Sequence, residues 1–278
     1  MLLAVDIGNS NVVLSIFEEH KILNQWRINS SLDKSTDDFA VDIIELLLTA
    51  KIDILQINGC IIASVVPTIT GRIEQAIKKI VNNNILKKII IVDEHRHKLP
   101  ITINLKNKNE IGIDRLVNSI IAYQKFGTSQ DNLIIVDFGT ATTFDVVGSG
   151  GEYLGGAISP GLNLSLKSLH EMTAQLPKIN VKAQKNVIGK NTIEAMNSGV
   201  YFGYIAMIEG MVKRIEDELS TKTRKIITGG LAEIFRTALC IDTTEEDFIK
   251  QPISNYFFHS PNLTVEGLEM LYYKLYEK

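Results

Sequence analysis

Short apolar runs alternate along the chain with longer stretches whose apolar residues recur three and four positions apart. The runs at residues 2–5, 59–66, 89–92, 133–136 and 225–228 are dominated by Ile, Val and Leu, the texture of strands buried on both faces. Residues 37–50 carry Phe39, Ile43, Leu46 and Leu47 on one helical face. Similar periodicity predicts helices over 70–81, 115–126, 162–171, 192–218 and 264–276, with another running through Leu239 after Gly229-Gly230. Pro67 closes the strand before it, and 127–132 reads as a linker. Strands alternating with helices define an α/β protein.

The pattern also repeats. Leu2-Leu3-Ala4-Val5-Asp6-Ile7-Gly8-Asn9-Ser10-Asn11-Val12-Val13 has a counterpart in Leu133-Ile134-Ile135-Val136-Asp137-Phe138-Gly139-Thr140-Ala141-Thr142-Thr143-Phe144. Each is an apolar strand, an acid, an apolar residue, Gly, small polar residues and a second strand. The continuations match in type: 14–17, a turn at 18–20 and 22–28 parallel 145–147, a turn at 148–151 and 153–158. Two strand–turn–strand–turn–strand meanders, each followed by helices and further strands, predict a duplicated fold.

One Asp-x-Gly bend is explained by hairpin chemistry alone, since Gly accepts turn conformations at no steric cost. Two copies ask for more. Each supplies backbone N–H groups, small polar side chains (Asn9, Ser10 and Asn11; Thr140, Thr142 and Thr143) and one carboxylate. Backbone donors in a glycine bend form an anion nest. A carboxylate beside phosphates is tolerated when a cation stands between them, which points to Mg²⁺ carried with a nucleotide. Other nucleotide motifs are missing. Gly189-Lys190-Asn191-Thr192 lacks the upstream Gly of a P-loop and has Asn after its Lys, and no Gly-x-Gly-x-x-Gly follows a strand. Lys225-Ile226-Ile227-Thr228-Gly229-Gly230-Leu231-Ala232 reads as strand, glycine turn and helix, open to a flat ligand such as an adenine–ribose unit but equally to any strand-to-helix turn.

Composition narrows the classes. The chain has 278 residues, net charge −3, a pI near 6.0 and 22% charged residues of both signs, which excludes disorder and argues against a nucleic-acid or membrane-surface binder. No apolar run approaches the ~20 residues of a membrane span, and no leader precedes Asp6, so a cytoplasmic protein is expected. Cys60 and Cys240 cannot build a disulfide framework and read as buried reduced thiols. His95-x-His97 lacks a nearby third ligand and reads as surface. Trp26 reads as core or near-core. The face formed by Tyr201, Phe202, Ile205 and Ile208 is explained by core packing or by a dimer seam.

Taken together, these motifs resemble type III pantothenate kinase, a branch of the superfamily of actin, Hsp70 and the sugar kinases. The resemblance rests on Asp6 to Val13, on Val136 to Val147, on Tyr153-Leu154-Gly155-Gly156-Ala157-Ile158 with Ser159-Pro160-Gly161, on Gly189-Lys190-Asn191-Thr192, and on Thr228-Gly229-Gly230-Leu231-Ala232. It implies duplicated ribonuclease H-like (actin-like ATPase) domains, 1–118 and 119–278, with a nucleotide cleft between them. It also implies phosphorylation of pantothenate by ATP, the entry step of coenzyme A synthesis, in a homodimer with Mg²⁺ and a monovalent cation, K⁺ or NH₄⁺. Site roles follow by position. Asp6, Ile7, Gly8, Asn9, Ser10, Asn11, Val12 and Val13 would hold ATP, with Asp6 near Mg²⁺; Thr140, Gly229 and Gly230 would also contact ATP. Gly112-Ile113-Asp114-Arg115 matches the substrate motif whose Asp is the catalytic base, so Asp114 takes that role, and Asp137 would bind the monovalent cation. Leu105 and Thr192 would contact pantothenate, Thr192 from a partner subunit.

Residue chemistry is compatible with this. Phosphoryl transfer rests on positioning and charge neutralisation, a carboxylate can accept the hydroxyl proton, and Arg115 offers a fork for a carboxylate or phosphate. The plain alternative for Asp114-Arg115 is a solvated pair in the first turn of a helix. The chain departs from the family pattern where Leu105 replaces a usual Tyr, where Lys106-Asn107-Lys108 replaces Asp-Asn-Pro, and where Ile113 replaces Ala, a change expected to tighten the pocket. Two rivals are a non-enzymatic Bvg accessory factor-like regulator and another actin-superfamily ATPase. Three carboxylates at Asp6, Asp114 and Asp137 disfavour the first, and the substrate motif and short length disfavour the second.

Overall fold

The computed structural model describes residues 1–81 and 88–276. The chain divides into two compact units, the first comprising 1–100, 109–121 and 264–278, the second 101–108 and 122–263.

In the first unit, β1 (Leu2–Ile7), β2 (Asn11–Glu18) and β3 (Lys21–Asn29) form an antiparallel meander. The helices α1 (Thr36–Thr49) and α2 (Pro67–Ile80) alternate with the parallel strands β4 (Gly59–Ser64) and β5 (Lys88–Ile91), giving the order β3-β2-β1-β4-β5. Start signals act locally. Ser35 and Asp38 form a reciprocal capping box on α1, satisfying N–H groups with no intrahelical partner. Pro67 does more than end the strand: it opens α2, where its fixed φ and missing N–H cost nothing. The core gathers Val5, Ile7, Leu14, Ile16, Phe39, Ile62, Ile69 and Ile73, each at most 1% exposed, and each such side chain contributes roughly 1.5–3 kcal/mol by leaving water.

The second unit repeats the plan. β6 (Asn132–Phe138), β7 (Ala141–Val147) and β8 (Tyr153–Pro160) form the meander. β9 (Thr223–Thr228) lies parallel to β6, and β10 (Phe258–His259) parallel to β9, so the order β8-β7-β6-β9-β10 reproduces that of the first sheet strand for strand. Its helices are α4 (Leu162–Glu171), α5 (Thr192–Leu219), α6 (Arg236–Leu239) and α7 (Glu245–Lys250), whereas α3 (Ile113–Phe126) begins in the first unit and ends in the second, and α8 (Leu263–Tyr276) belongs to the first from Thr264 onward. On α5, Tyr201 and Tyr204 stack on Phe235 at 5.7 and 5.8 Å, and Ile208 is fully buried, so core packing accounts for the centre of that aromatic face. Trp26 packs partly buried against the first core.

A single boundary after residue 118 does not describe the chain. Segment 101–108 joins the second unit because the Tyr153 N–H donates to the Thr102 carbonyl at 2.8 Å and the Asn104 N–H to the Tyr153 carbonyl at 2.9 Å. The C-terminal helix joins the first because α8 packs on α3, where the Thr264 hydroxyl meets the Asn118 amide oxygen at 2.7 Å.

Register also corrects the repeat by one residue. Asp6 faces Val13 and Ile7 faces Val12, whereas Asp137 faces Thr143 and Phe138 faces Thr142. The first bend is one residue longer, so Val12 and not Asn11 is the counterpart of Thr142, and buried Ser15 is the counterpart of buried Asp145. Residue identity aligned the bends; the pleat, with its period of two, fixes which side chains share a face.

Candidate active site

In the first unit the acid-bearing bend and the substrate motif approach one another through the end of β4. The Val65 N–H donates to the Ile7 carbonyl at 3.0 Å, and the Val65 side chain lies 3.7 Å from where a Cβ on Gly112 would stand. Asp6 is half-buried at the end of β1, and Asn9, Ser10 and Asn11 are exposed at the tip of the bend. Ile7 and Val12 are fully buried, so only their backbones can face a ligand. The Gly8 N–H closes the bend on the Asn11 carbonyl at 3.0 Å.

Asp114 stands in the first turn of α3, its Oδ1 accepting the Arg115 N–H at 2.8 Å. Burial pushes its carboxyl above the ordinary range, against the opposing pull of the Arg115 N–H and guanidinium. A solvated helix-start acid would show no such desolvation, so the plain alternative for this pair is disfavoured. Gly112 makes the arrangement possible: a Cβ there would sit 2.4 Å from Asp114 Oδ1. Arg96 braces the same loop, donating from one guanidinium nitrogen to the Ile111 carbonyl at 2.9 Å and from another to Asp93 at 2.7 Å. Ile113, the residue that stands in place of the usual Ala, is 1% exposed.

In the second unit Asp137 and Gly229 come together. Gly229 adopts φ +93, and a Cβ there would lie 2.4 Å from Asp137 Oδ1 and 2.7 Å from the Phe138 carbonyl oxygen. The space this glycine leaves is thus taken up inside the protein, by the carboxylate and the backbone beside it. Thr140 is exposed at the bend. Phe138, next to Asp137, stacks on Phe235 at 5.2 Å. Fully buried Asp145 accepts the Tyr153 hydroxyl at 2.7 Å and the Thr143 hydroxyl at 3.2 Å. Leu105 is half-buried, 3.5 Å from the Cβ position of Gly155.

Thr192 lies exposed in the first turn of α5. The preceding Gly189-Lys190-Asn191 forms that helix's cap: Asn191 accepts the Glu194 N–H at 2.9 Å, and the Glu194 carboxylate accepts the Lys190 N–H at 2.7 Å. Among the described residues no group of three or more His, Cys, Asp or Glu side chains could hold a metal ion by itself, and no helix is long and apolar enough to cross a membrane. Burial pushes the Cys60 thiol up and that of Cys240 to about 12, which makes both inert.

Sequence reasoning missed Ser30, Val65, Arg96 and the Asp145–Tyr153 pair. Ser30 and Val65 had a topological signal, each standing just past the end of a strand next to an acid-bearing bend. Arg96 had none, because its role depends on the fold of the 92–111 segment.

Two meanders in the same sheet order, each carrying an acid and glycine at the first bend, make a duplicated α/β fold. MreB 5 of Spiroplasma citri shares it with a TM-score of 0.55 at 10% identity over 99% of this chain and 97% of that one. A Baf family transcriptional activator from Campylobacter jejuni gives 0.59 at 16% identity over 99% and 100%, a likeness of fold. The family model for type III pantothenate kinase matches residues 2–214, and the type III pantothenate kinase of Geotalea daltonii is 37% identical over 272 residues, 98% of each chain. The chain belongs to the type III pantothenate kinase family.

Proposed function

We propose that this chain transfers the terminal phosphoryl group of ATP to the terminal hydroxyl of pantothenate, giving 4'-phosphopantothenate in the first step of coenzyme A synthesis. Family membership over nearly the full chain supports the substrate. The observation that carries the chemistry is a half-buried carboxylate with a raised pKa, held beside a glycine that has no room for a side chain.

Asp114 is the base. Burial raises its proton affinity towards that needed to take the hydroxyl proton as the bond to phosphorus forms. Arg115 sits beside it with a guanidinium suited to the pantothenate carboxylate. The bend from Asp6 to Val13 binds phosphate oxygens through backbone N–H groups and the Asn9, Ser10 and Asn11 side chains. Asp6 takes the Mg²⁺ that the nucleotide brings and that neutralises charge on the transferring group. Thr140 contacts ATP, and Gly229 and Gly230 serve its adenosine end. A monovalent cation, K⁺ or NH₄⁺, is held at Asp137. A carboxylate oxygen such as that of Asp137 is the hard ligand such a cation takes. Leu105 and Thr192 contact pantothenate, Thr192 from the partner in a homodimer. Exposed Leu164, Leu169, Met172 and Ile193 on or near α4 and α5 are compatible with such a pairing. The enzyme works in the cytoplasm.

ADP release measured with and without pantothenate tests the reading. Release that needs pantothenate supports it, equal release in both supports an ATPase, and none in either supports a regulator.

A further inference from the structure

Ser30, the first residue after β3, touches the first bend twice. Its hydroxyl donates to the Gly8 carbonyl at 2.6 Å, and its N–H donates to the Ser10 carbonyl at 3.1 Å. A trans peptide is planar, with C=O and N–H pointing in opposite directions. Pulling the Gly8 and Ser10 carbonyls towards Ser30 therefore turns the N–H groups of Asn9 and Asn11 away from it. The strand register agrees. Asn11 faces Asn29, and the bond from the Ser30 N–H to the Ser10 carbonyl beside them makes this a non-hydrogen-bonded pair, so the Asn11 N–H points away from β3 and Ser30.

The loop after Ser30 is itself pinned. Arg72 of α2 donates to the Leu32 carbonyl at 2.5 Å and to the Lys34 carbonyl at 2.8 Å. In the second unit the corresponding residue after β8 is Gly161. A Cβ on it would stand 2.1 Å from the Thr140 carbonyl oxygen and 2.8 Å from that of Gly139. Pro160 before it is held by the Tyr204 hydroxyl at 2.5 Å. Both copies thus press the residue after the third strand against carbonyls of the bend. The longer first bend does so through a hydroxyl and the shorter second one through bare backbone.

We propose that Ser30 is a positioning residue for nucleotide phosphate: it locks two peptide planes of the first bend so that the Asn9 and Asn11 amides form an anion nest. This rests on the nucleotide-binding part of the function proposed above. Without the hydroxyl, the Gly8–Asn9 peptide is free to rotate and a donor is lost to the phosphates.

The test is titration calorimetry of the whole protein with Mg·ATP and with pantothenate, alongside kinetics and thermal melting. Ser30→Ala is expected to weaken Mg·ATP binding and kcat/KM for ATP roughly tenfold, the scale of one lost hydrogen bond to a charged group. Pantothenate KM and the melting temperature should stay near wild type, and Ser30→Thr, which keeps the hydroxyl, should restore ATP affinity. Unchanged Mg·ATP affinity in Ser30→Ala, or equal losses for both substrates with a lowered melting point, overturns the proposal. Wild-type protein that binds Mg·ATP but leaves pantothenate unmodified sinks the kinase reading while this one stands; wild-type protein that does not bind Mg·ATP sinks both.

Discussion

Replacing Gly112 by Ala puts a methyl group where the structure has an oxygen. The new Cβ would stand 2.4 Å from Asp114 Oδ1, about 1 Å short of an ordinary contact. Gly112 does not use a left-handed backbone, so contact alone sets the cost. The nearest obstacle is a side-chain end, and the inexpensive relief is for the Asp114 carboxylate to swing away, giving up the Arg115 N–H at 2.8 Å. That hydrogen bond to a charged group is worth roughly 1.5–3 kcal/mol, which the fold can spare, but a base displaced by about 1 Å costs on the order of 100-fold in rate. Gly112→Ala should therefore lower kcat for pantothenate phosphorylation about 100-fold, with Mg·ATP affinity close to wild type and a melting temperature lowered by no more than the loss of that one hydrogen bond implies, several degrees. Coupled ADP release, calorimetry and thermal melting read the three quantities. Full turnover refutes the reasoning, as does a parallel loss of ATP affinity, because either places the sensitive group elsewhere than Asp114.

Three further outcomes follow from the same structure. Asp114→Asn should fold and bind Mg·ATP yet lose roughly 100- to 10,000-fold in kcat; in the wild type, kcat/KM should fall with acid through a value above the ordinary carboxylate range, since burial favours the protonated form and only the ionised form accepts a proton. Activity should rise when K⁺ replaces Na⁺, read by the same ADP assay at constant ionic strength, and equal rates in both salts count against a cation at Asp137. Glu216 is 5% exposed; burial raises its carboxyl, but Lys225 at 2.8 Å, Lys222 at 2.9 Å and the Thr223 N–H outweigh that and hold it at about 2. A depressed carboxylate stabilises above its unfolded value, so Glu216→Gln should cost about 3 kcal/mol or more near neutral pH. In denaturant titrations that gap should narrow as pH falls from 4.5 towards 2, and a gap independent of pH contradicts the assignment.

Much of this was legible in the chain. Buried strands and amphipathic helices announce themselves by period, and the duplicated acid–glycine bend predicted two sheets of one design. Helix starts were less legible. Residues 67–69 open α2, but Pro67 serves equally as a strand stop and as a first helical residue, and only tertiary context separates the two. β10 is two residues long and α7 six, too short for any period. The one-residue offset between the bends was hidden because Asn11 and Thr142 match in chemistry, while only cross-strand pairing reveals that they differ in position. The candidate site could be named from the chain where chemistry is concentrated, at Asp6, Asp114 and Asp137. It was illegible where residues act through backbone carbonyls: Ser30 and Arg96 hold peptide planes, a task many polar residues perform and no spacing encodes.

Mass spectrometry and phosphorus NMR of the products, after incubating the protein with ATP, Mg²⁺ and pantothenate, go straight to the central claim. Wild type should yield ADP together with pantothenate esterified by phosphate at its terminal hydroxyl, and Asp114→Asn should yield almost none. Inorganic phosphate as the only phosphorus product besides ADP, with pantothenate recovered intact, would contradict the account.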